Sequence, residues 1–400
     1  MNENASDIRA TCLSRSRLDT HTHLNESYGG LAEGATNWAS FATTRAMHSS
    51  RAAAEACRVL YGEDAGVFLR PDSSQAAFDK AAALREKGAW GAIEHAMDVV
   101  GIKKQIAFCG FKPKDTRPFA GIAGNRLAYL AYIDEVINGE DIVPSPDYPE
   151  LSDTYYNCLC KQLGPLPTLD SYLADLDAEI DQWRSHGVVG MKTAMAYTWG
   201  LKVSDPTERD ARRAFSKKND MTFEDRRIVH DFAFHHILAA CRRNEFPVVV
   251  HTGYQNWGHG SLCQTNPMEF HNVLVDRRYR DMTFVLLHGG NPYVGETSYL
   301  AGMFENVIID FTWIGWVTPL RFKHALAEWL AMVPHDRMCW GSDSSYPEDI
   351  AGVDRLTRQL IADVLEDAIE ARIIDETYAR EFIDRSYYEN PRRIFGLEDV

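Results

Sequence analysis

The chain has 400 residues, of which 45% are hydrophobic and 25% charged, and its formal net charge is −15. This composition is typical of a globular protein and not of a disordered chain. The negative charge argues against nucleic acid and anionic membrane surfaces as partners, because both attract basic patches. No run of about 20 apolar residues occurs, so we also expect no membrane-spanning helix.

The cysteines and the first residues bear on the cellular compartment. Eight cysteines are spread thinly, and the closest two, Cys158 and Cys160, have one residue between them. This spacing suits neither a CxxC redox site nor a zinc knuckle. The first twenty residues lack the apolar core of a signal peptide. We therefore expect reduced cysteines and a cytoplasmic protein.

Short apolar runs recur along the chain, and most of them are nearly continuous in apolar residues, as in parallel strands that are buried on both faces. The eight runs, in chain order, are Leu18–Thr22, Gln105–Cys109, Leu127–Ile133, Val188–Thr193, Pro247–His251, Thr283–His288, Val307–Phe311 and Met338–Ser342.

Between the later runs, apolar residues recur three or four apart, which predicts helices. These helices are Leu169–His186, Asp225–Arg243, His271–Arg280 and Leu320–Met332. Eight strands that alternate with helices indicate an α/β fold of the (β/α)8 TIM-barrel type more than an open doubly wound sheet. The open sheet stays an alternative, because a sequence does not show closure. The phosphate-binding patterns GxGxxG and GxxxxGKS/T, which often accompany open sheets, are both absent.

Two intervals are longer than ordinary connections. Residues 24–100, after the first strand, contain helix-like stretches around Phe41–Leu60 and Ser74–Met97. Residues 134–168, after the third strand, carry five prolines and predict an irregular insertion. Such long intervals are usually functional or form an added subdomain. We predict a single barrel domain over residues 1–400, with cap-like insertions at about 24–100 and 134–168.

The sharpest local signal is the run Asp19-Thr20-His21-Thr22-His23. Side chains two apart on a strand point to the same face, so His21 and His23 can converge on one metal ion. Histidine is the commonest ligand for zinc-like metals. By itself an HxH pair is a weak signal.

Other ligand-type residues fall at the ends of other predicted strands. Lys192 ends the fourth strand, His251 the fifth and His288 the sixth, and Asp343 follows the eighth. Barrel enzymes place their chemistry at the C-terminal ends of the strands. The pattern therefore predicts one site that combines these four residues with the HxH pair.

This set, in this order and on strands one, four, five, six and eight, resembles the amidohydrolase superfamily. The segments HTG, HGG and GSD are most similar to the branch labelled amidohydrolase 2, which mixes hydrolases, decarboxylases and uronate-isomerase-like proteins. The ending Asn390–Gly396 is similar to the superfamily's C-terminal motif. The long insertion after the first strand resembles the uronate-isomerase-like members more than the compact hydrolases.

The resemblance implies that His21, His23 and Asp343 bind a divalent metal, most simply zinc with manganese or iron as alternatives, as one or two ions. It implies that His251 and His288 are further ligands or catalytic partners. A carboxylate beside the metal, such as Asp343, can also accept a proton from a bound water.

Lys192 has two possible roles. In binuclear relatives a lysine at this position is carbamylated and bridges two ions, whereas a protonated lysine does not bind metal. The alternative is an ammonium that pairs with a substrate carboxylate. The sequence leaves both open.

Residues in the loops after the strands are candidates for substrate contact, because these loops line the pocket of a barrel. Tyr254 and Trp313 are preferred, since aromatic walls with a polar handle suit sugar or aryl substrates. The other candidates are Asn25, Tyr28, Trp199 and Gln255.

The leading interpretation is a metal-dependent hydrolase of an amide, ester or lactone bond in a small, anionic substrate, with no nucleic-acid or membrane partner and with self-association possible. A decarboxylase or a uronate-type aldose–ketose isomerase would use the same metal site. A catalytically inactive, metal-stabilised scaffold is the alternative from another class, although structural zinc sites are usually closed by four ligands and favour cysteine.

Overall fold

The structure is a computed structural model. It describes residues 3–30, 34–36, 38–39, 47–70, 75–138, 155–255 and 261–397. Within these ranges, the side chains of residues 3–6, 28 and 47 are not described.

Eight β-strands form one sheet in the order β1 to β8. Their bounds are β1 Arg17–Thr22, β2 Ile102–Cys109, β3 Leu127–Tyr132, β4 Val188–Thr193, β5 Val248–His251, β6 Phe284–Leu287, β7 Val307–Asp310 and β8 Met338–Cys339. The pairing is parallel between β1 and β2 and successively from β3 to β7. All eight predicted strands are confirmed.

The end of the sheet returns to its beginning. Thr22, the last residue of β1, forms a parallel bridge with Ser344, which follows β8. The amide of Thr20 donates to the carbonyl oxygen of Trp340 over 3.3 Å. Eight parallel strands whose last segment pairs with the first form a (β/α)8 barrel, so the predicted TIM-barrel class is confirmed.

The chain divides into two compact units. The first comprises the described residues of Met1–Phe108, Pro118–Ala128 and Asp310–Val400. Its helices are Glu3–Ser14, Glu26–Gly29, Met47–Ala56, Gln75–Arg85, Gly88–Val100, Ile314–Val317, Pro319–Met332, Pro347–Glu370, Glu376–Asp384 and Asn390–Phe395, with π-helical turns at Cys57–Tyr61 and Arg385–Glu389 and a 3₁₀ turn at His335–Arg337.

The second unit comprises the described residues of Cys109–Arg117 and Tyr129–Ile309. Its α-helices are Pro113–Thr116, Asp134–Ile137, Tyr155–Leu163, Leu169–Ile180, Glu208–Phe215, Phe223–Arg243, His271–Leu274 and Val294–Met303. Its 3₁₀ turns are Trp183–His186, Met195–Tyr197, Lys218–Asp220, Leu262–Thr265, Pro267–Phe270, Arg277–Tyr279 and His288–Gly290.

Side-chain caps explain where the longer helices of the second unit begin. Thr168 and Ser171 form a capping box at the start of Leu169–Ile180. Thr222 and Asp225 form another at the start of Phe223–Arg243. Each box satisfies backbone amides that the first turn of a helix leaves without an internal acceptor.

Several predicted elements are shorter in the structure, and two of them differ most. The helix expected over His271–Arg280 is interrupted at Asp276, which is extended and accepts a hydrogen bond from the amide of Arg278. Short acidic side chains compete with helical hydrogen bonds in this way. The eighth strand ends at Cys339 instead of Ser342, and the amide of Ser342 donates to the carboxylate of Asp19.

The described parts of the two long insertions are largely helical. After β3, Tyr155 and Leu159 bury one face of a helix that lies in the predicted irregular segment. After β1, the helix Met47–Ala56 packs closely on Pro347–Glu370, where a Cβ on Gly352 would lie 2.0 Å from the carbonyl oxygen of Ala52. That the insertions act as caps stays a prediction.

A buried ion pair ties the first insertion to the segment after β8. Arg85 donates to both carboxylate oxygens of Glu348, and the hydroxyl of Tyr61 donates to the same carboxylate over 2.7 Å. The side chains of Arg85 and Glu348 are both 0% exposed.

Of the helices in the described ranges, none combines the length and the apolar character that a membrane span requires.

Candidate metal centre

The first strand presents its ligand-type side chains on one face. Asp19, His21 and His23 are spaced two apart, so they project to the same side of β1. The Nε2 atoms of His21 and His23 lie 3.2 Å apart. The side chain of His21 is 1% exposed and that of His23 is 46% exposed. One imidazole is therefore fixed in the interior, and the other borders open space.

Asp343 brings a carboxylate to the same point. Its Oδ1 atom lies 3.5 Å from Nε2 of His21 and 3.2 Å from Nε2 of His23, and its side chain is 12% exposed. Its backbone has φ 57°, in the left-handed region that non-glycine residues rarely occupy. The amide of Asp343 donates to the carbonyl oxygen of His21 over 2.9 Å. The amide of His23 donates to the carbonyl oxygen of Ser344, also over 2.9 Å. These bonds hold the unusual conformation in place.

The three side chains fit a divalent metal ion. One ligand atom from each of His21, His23 and Asp343 lies within 4.8 Å of the other two. A tetrahedral ion with bonds of about 2.0–2.1 Å keeps its ligands about 3.3–3.4 Å apart. The separations here are 3.2, 3.2 and 3.5 Å. Two imidazoles and one carboxylate are also a ligand set that zinc-like metals accept in catalytic sites.

Phe108 forms an aromatic neighbour of the pair. Its ring centroid lies 4.8 Å from that of His23 and 5.7 Å from that of His21. It lies next to the last residue of β2, a position equivalent to that of the predicted ligands on other strands. Phe108 was not predicted as part of the site, because only polar side chains at strand ends indicate metal chemistry in a sequence.

The fully buried carboxylate of Asp19 forms hydrogen bonds with the segments that carry His21 and Asp343. It accepts hydrogen bonds from the amide of Ser342 over 2.8 Å, the hydroxyl of Ser342 over 2.6 Å and the side-chain amide of Gln105 over 2.9 Å, with a longer bond of 3.3 Å from the amide of His21. Burial raises the pKa of Asp19 to about 6, against the opposing effect of these hydrogen bonds. The alternation Asp19, His21, His23 was a signal from which this residue could have been predicted.

A second buried carboxylate, Asp310, ends β7. It accepts from the hydroxyl of Thr20 and from both the amide and the hydroxyl of Thr312. Gly341 fits between these groups, because a Cβ there would lie 2.2 Å from Oγ1 of Thr312 and 2.7 Å from Oγ1 of Thr20. Glycine is therefore required two residues before Asp343.

The second unit holds the other three predicted ligands. Lys192 lies in β4 and is 2% exposed, His251 ends β5, and His288 follows β6 with φ 65°. Nε2 of His288 lies 3.0 Å from Nδ1 of His251, and Nε2 of His251 lies 3.0 Å from the carbonyl oxygen of Tyr254. When both rings are neutral, His251 donates through Nε2 and accepts at Nδ1, so His288 carries its proton on Nε2.

The predicted substrate-contact residues lie in varied surroundings. Asn25 caps a short helix, and its Oδ1 accepts from the amide and the hydroxyl of Ser27. Trp313 is 7% exposed and packs with Trp316 and neighbouring apolar side chains. The side chain of Tyr28 lies outside the described residues.

The other three substrate-contact candidates belong to the second unit. Tyr254 is 37% exposed. Gln255 is buried and donates to the carbonyl oxygen of Ala196. Trp199 is buried, with its ring centroid 4.8 Å from that of His230. The substrate roles of all six candidates stay predictions.

Comparison with known proteins identifies relatives of the chain. The sequence model of the family described as Amidohydrolase matches residues 165–397. Protein fluG of Emericella nidulans is 26% identical in an alignment of 230 residues that covers 53% of this chain. The chain spans only 26% of the length of that protein.

Several solved structures share the fold. The uronate isomerase of Thermotoga maritima has a TM-score of 0.77 at 14% identity, over 99% of this chain and 98% of that chain. A candidate metal-dependent hydrolase from Lactobacillus casei ATCC 334 has a TM-score of 0.72 at 16% identity, over 98% of both chains. The uronate isomerase of Bacillus halodurans C-125 has a TM-score of 0.68 at 14% identity, over 99% of this chain and 97% of that chain.

Proposed function

The chain belongs to the amidohydrolase family, and on that premise we propose that it is a metal-dependent hydrolase that cleaves an amide, ester or lactone bond. We propose a small substrate that bears a carboxylate. The observation that supports this proposal best is the convergence of His21, His23 and Asp343, whose ligand atoms all lie within 4.8 Å of one another.

Three protein ligands are what a catalytic metal site requires, because such a site keeps a further position for water or substrate. The side chain of His23 is 46% exposed, so this ligand set borders space that a small molecule can enter. A divalent ion held there would lower the pKa of a bound water towards about 7 and would polarise a substrate carbonyl oxygen.

The chain's own residues supply the proton transfer and the orientation. The carboxylate of Asp343 accepts the proton that the attacking water loses, and its fixed backbone keeps this oxygen beside both imidazoles. His21 is buried and cannot turn away, whereas the ring of Phe108 limits the movement of His23. A preorganised site of this kind has little reorganisation to do during the reaction.

We also propose catalytic roles for Lys192, His251 and His288. Their support is the sequence pattern, the family and their burial at or beside strand ends. For Lys192 the two alternatives stay open: a carbamate that binds metal, or an ammonium that pairs with a substrate carboxylate. Crystallographic refinement would separate them, because only the carbamate adds density beyond Nζ.

Aldose–ketose isomerisation of a uronate is the second candidate. Its support is the match of two uronate isomerases to 99% of this chain, with TM-scores of 0.77 and 0.68. The same three ligands would serve either reaction.

A substrate panel tests the proposal. The purified chain is loaded separately with Zn²⁺, Mn²⁺ or Fe²⁺ and assayed with lactones, N-acyl amino acids, aryl carboxylates and uronates. We expect metal-dependent hydrolysis of a carboxylate-bearing ester, amide or lactone, abolished by a chelator and restored by metal. Turnover of uronates alone would replace the hydrolase with the isomerase. Loss of carbon dioxide from the aryl carboxylates would make it a decarboxylase.

A further inference from the structure

We infer that Asp19 is a positioning residue for the metal site, and that it sets the affinity of the site for its ion by locking the two ligand-bearing segments in register. This inference rests on the proposed function only in requiring that His21, His23 and Asp343 bind a divalent metal.

The carboxylate of Asp19 joins segments that are distant in sequence. Asp19 lies two residues before His21, and Ser342 is the residue before Asp343. Oδ1 of Asp19 accepts from the amides of both His21 and Ser342, over 3.3 and 2.8 Å. One carboxylate oxygen therefore holds the backbone immediately beside a ligand on each segment.

The other oxygen of Asp19 completes the connection. Oδ2 accepts from the hydroxyl of Ser342 over 2.6 Å and from the side-chain amide of Gln105 over 2.9 Å. The Ser342 hydroxyl in turn accepts from the amide of Ser344 over 3.2 Å. The residues on both sides of Asp343 are thus held through Asp19, which is 0% exposed.

The conformation of Asp343 makes this support necessary. A non-glycine residue with φ near 57° is strained and persists only where its surroundings enforce it. Without the Asp19 bonds, Ser342 can relax, and the carboxylate of Asp343 then moves away from its 3.2 Å separation from His23. A metal site loses affinity when its ligands are no longer preorganised.

Replacing Asp19 by Asn probes this step with little change of volume. An amide offers one acceptor oxygen in place of two. The Gln105 side chain can rotate to present its own oxygen to the NH2 group of the new carboxamide. The hydroxyl hydrogen of Ser342, in contrast, loses its acceptor. The loss therefore falls at Ser342, beside Asp343.

Metal affinity is the readout, measured as the Zn²⁺ Kd of the folded chain by competition with a chelator. We expect D19N to weaken the Kd about 10- to 100-fold, the range typical of residues that support metal ligands. Bound Co²⁺ should also lose visible absorption, because this intensity falls as coordination departs from tetrahedral. D310N is the matched control: Asp310 is equally buried, but its carboxylate accepts hydrogen bonds from Thr20 and Thr312. We expect its Kd to change less than about threefold.

Several results would overturn the inference. A D19N chain that binds Zn²⁺ as tightly as the wild type would do so, and so would equal losses in D19N and D310N. Should D19N not fold, S342A carries the test, with an expected loss of about 10-fold, the lower end of the same range, and an unchanged Kd as the contrary result. A wild-type chain that binds no Zn²⁺, Mn²⁺ or Fe²⁺ would instead overturn the proposed function.

Discussion

The backbone amide of Asp343 donates a hydrogen bond to the carbonyl oxygen of His21 over 2.9 Å. The residue that supplies the carboxylate ligand is therefore paired, through its main chain, with a residue that supplies an imidazole. The two side chains meet with Oδ1 of Asp343 3.5 Å from Nε2 of His21. Because backbone pairing sets this geometry, the metal site depends on the closure of the sheet between its first and last segments.

Removing either imidazole should abolish metal binding. We expect H21A and H23A to weaken the Zn²⁺ Kd about 100-fold or more, so that zinc is nearly absent at a free Zn²⁺ concentration near the wild-type Kd, since losing a ligand costs at least as much as losing a residue that supports one. Elemental analysis after dialysis against a fixed free Zn²⁺ concentration measures this. H236A is the control, because His236 lies on the helix Phe223–Arg243 and pairs with Asp177 on the helix Leu169–Ile180. Full zinc content in H21A or H23A would rule out the assigned site.

Replacing Asp343 by Asn should separate binding from proton transfer. The amide oxygen can still face the ion, but the side chain can no longer accept a proton. We expect turnover of the identified substrate to fall about 10²- to 10⁴-fold, the usual contribution of general acid–base catalysis. Metal content is measured on the same sample. Normal turnover with metal retained would remove Asp343 from the catalytic machinery.

Breaking the buried pair between Arg85 and Glu348 should destabilise the first unit. R85M leaves the Glu348 carboxylate, which is 0% exposed, without its cation. Loss of one partner of a buried ion pair costs about 3–5 kcal/mol. Urea unfolding gives the free energy of unfolding. The double variant R85M/E348M should recover part of the loss, because it removes the buried charge as well. A double variant less stable than R85M would contradict this explanation.

Asp349 should make stability depend on pH. Burial first, and the neighbouring charge of Glu348 second, raise the pKa of Asp349 from 3.8 to about 7, whereas Arg85 and the amides of Ser345 and Tyr346 oppose the shift. Between pH 4 and pH 7 the native state keeps a proton that the unfolded chain has lost. The contribution of this group to stability therefore falls as pH rises through that window, by up to about 1.4 kcal/mol per pH unit.

The variant D349N tests this dependence, because its amide stays neutral and can still accept the two backbone amides. We expect the melting temperature of D349N minus that of the wild type to increase from pH 4 to pH 7 and to level off above it. The measurement is a series of thermal melts in buffers of constant ionic strength. A difference that does not vary with pH would show that Asp349 is ionised throughout.

Gly352 should not tolerate alanine, although alanine is the better helix former by about 1 kcal/mol. The added Cβ would lie 2.0 Å from the carbonyl oxygen of Ala52, so the helices Met47–Ala56 and Pro347–Glu370 would have to separate. We expect G352A to lower the free energy of unfolding by about 1–3 kcal/mol.

The same substitution at Gly91 is the control for Gly352. Gly91 lies on the helix Gly88–Val100, and among the described residues, its chain neighbours and the backbone of its own helix aside, the new Cβ would approach only the Cβ of Lys87, at 3.0 Å. G91A should therefore be neutral or stabilising. Equal destabilisation of G91A and G352A would indicate that the close approach at Ala52 is not the cause.

Much of the fold could be predicted from the sequence because its signals are local. Parallel strands buried on both faces are recognisable from short apolar runs, and all eight were found. The HxH spacing determines that His21 and His23 share a face, since side chains alternate along a strand. The helix Pro347–Glu370 was overlooked, although apolar residues recur along it at helical spacing, including Ile350, Val353, Ile361 and Val364.

The sequence by itself thus determined the eight strands, their alternation with helices and the residue types available to bind a metal, whereas closure of the sheet into a barrel was shown only by the structure. Only the tertiary structure decided which carboxylates support the ligands and what conformation Asp343 adopts. Asp19 and Ser342 are 323 residues apart in sequence, and Arg85 and Glu348 are 263 apart. Hydrogen bonds across such separations leave no periodic trace in a sequence, because closure of the sheet and packing of the insertion bring the partners together. The same closure holds Asp343 against His21.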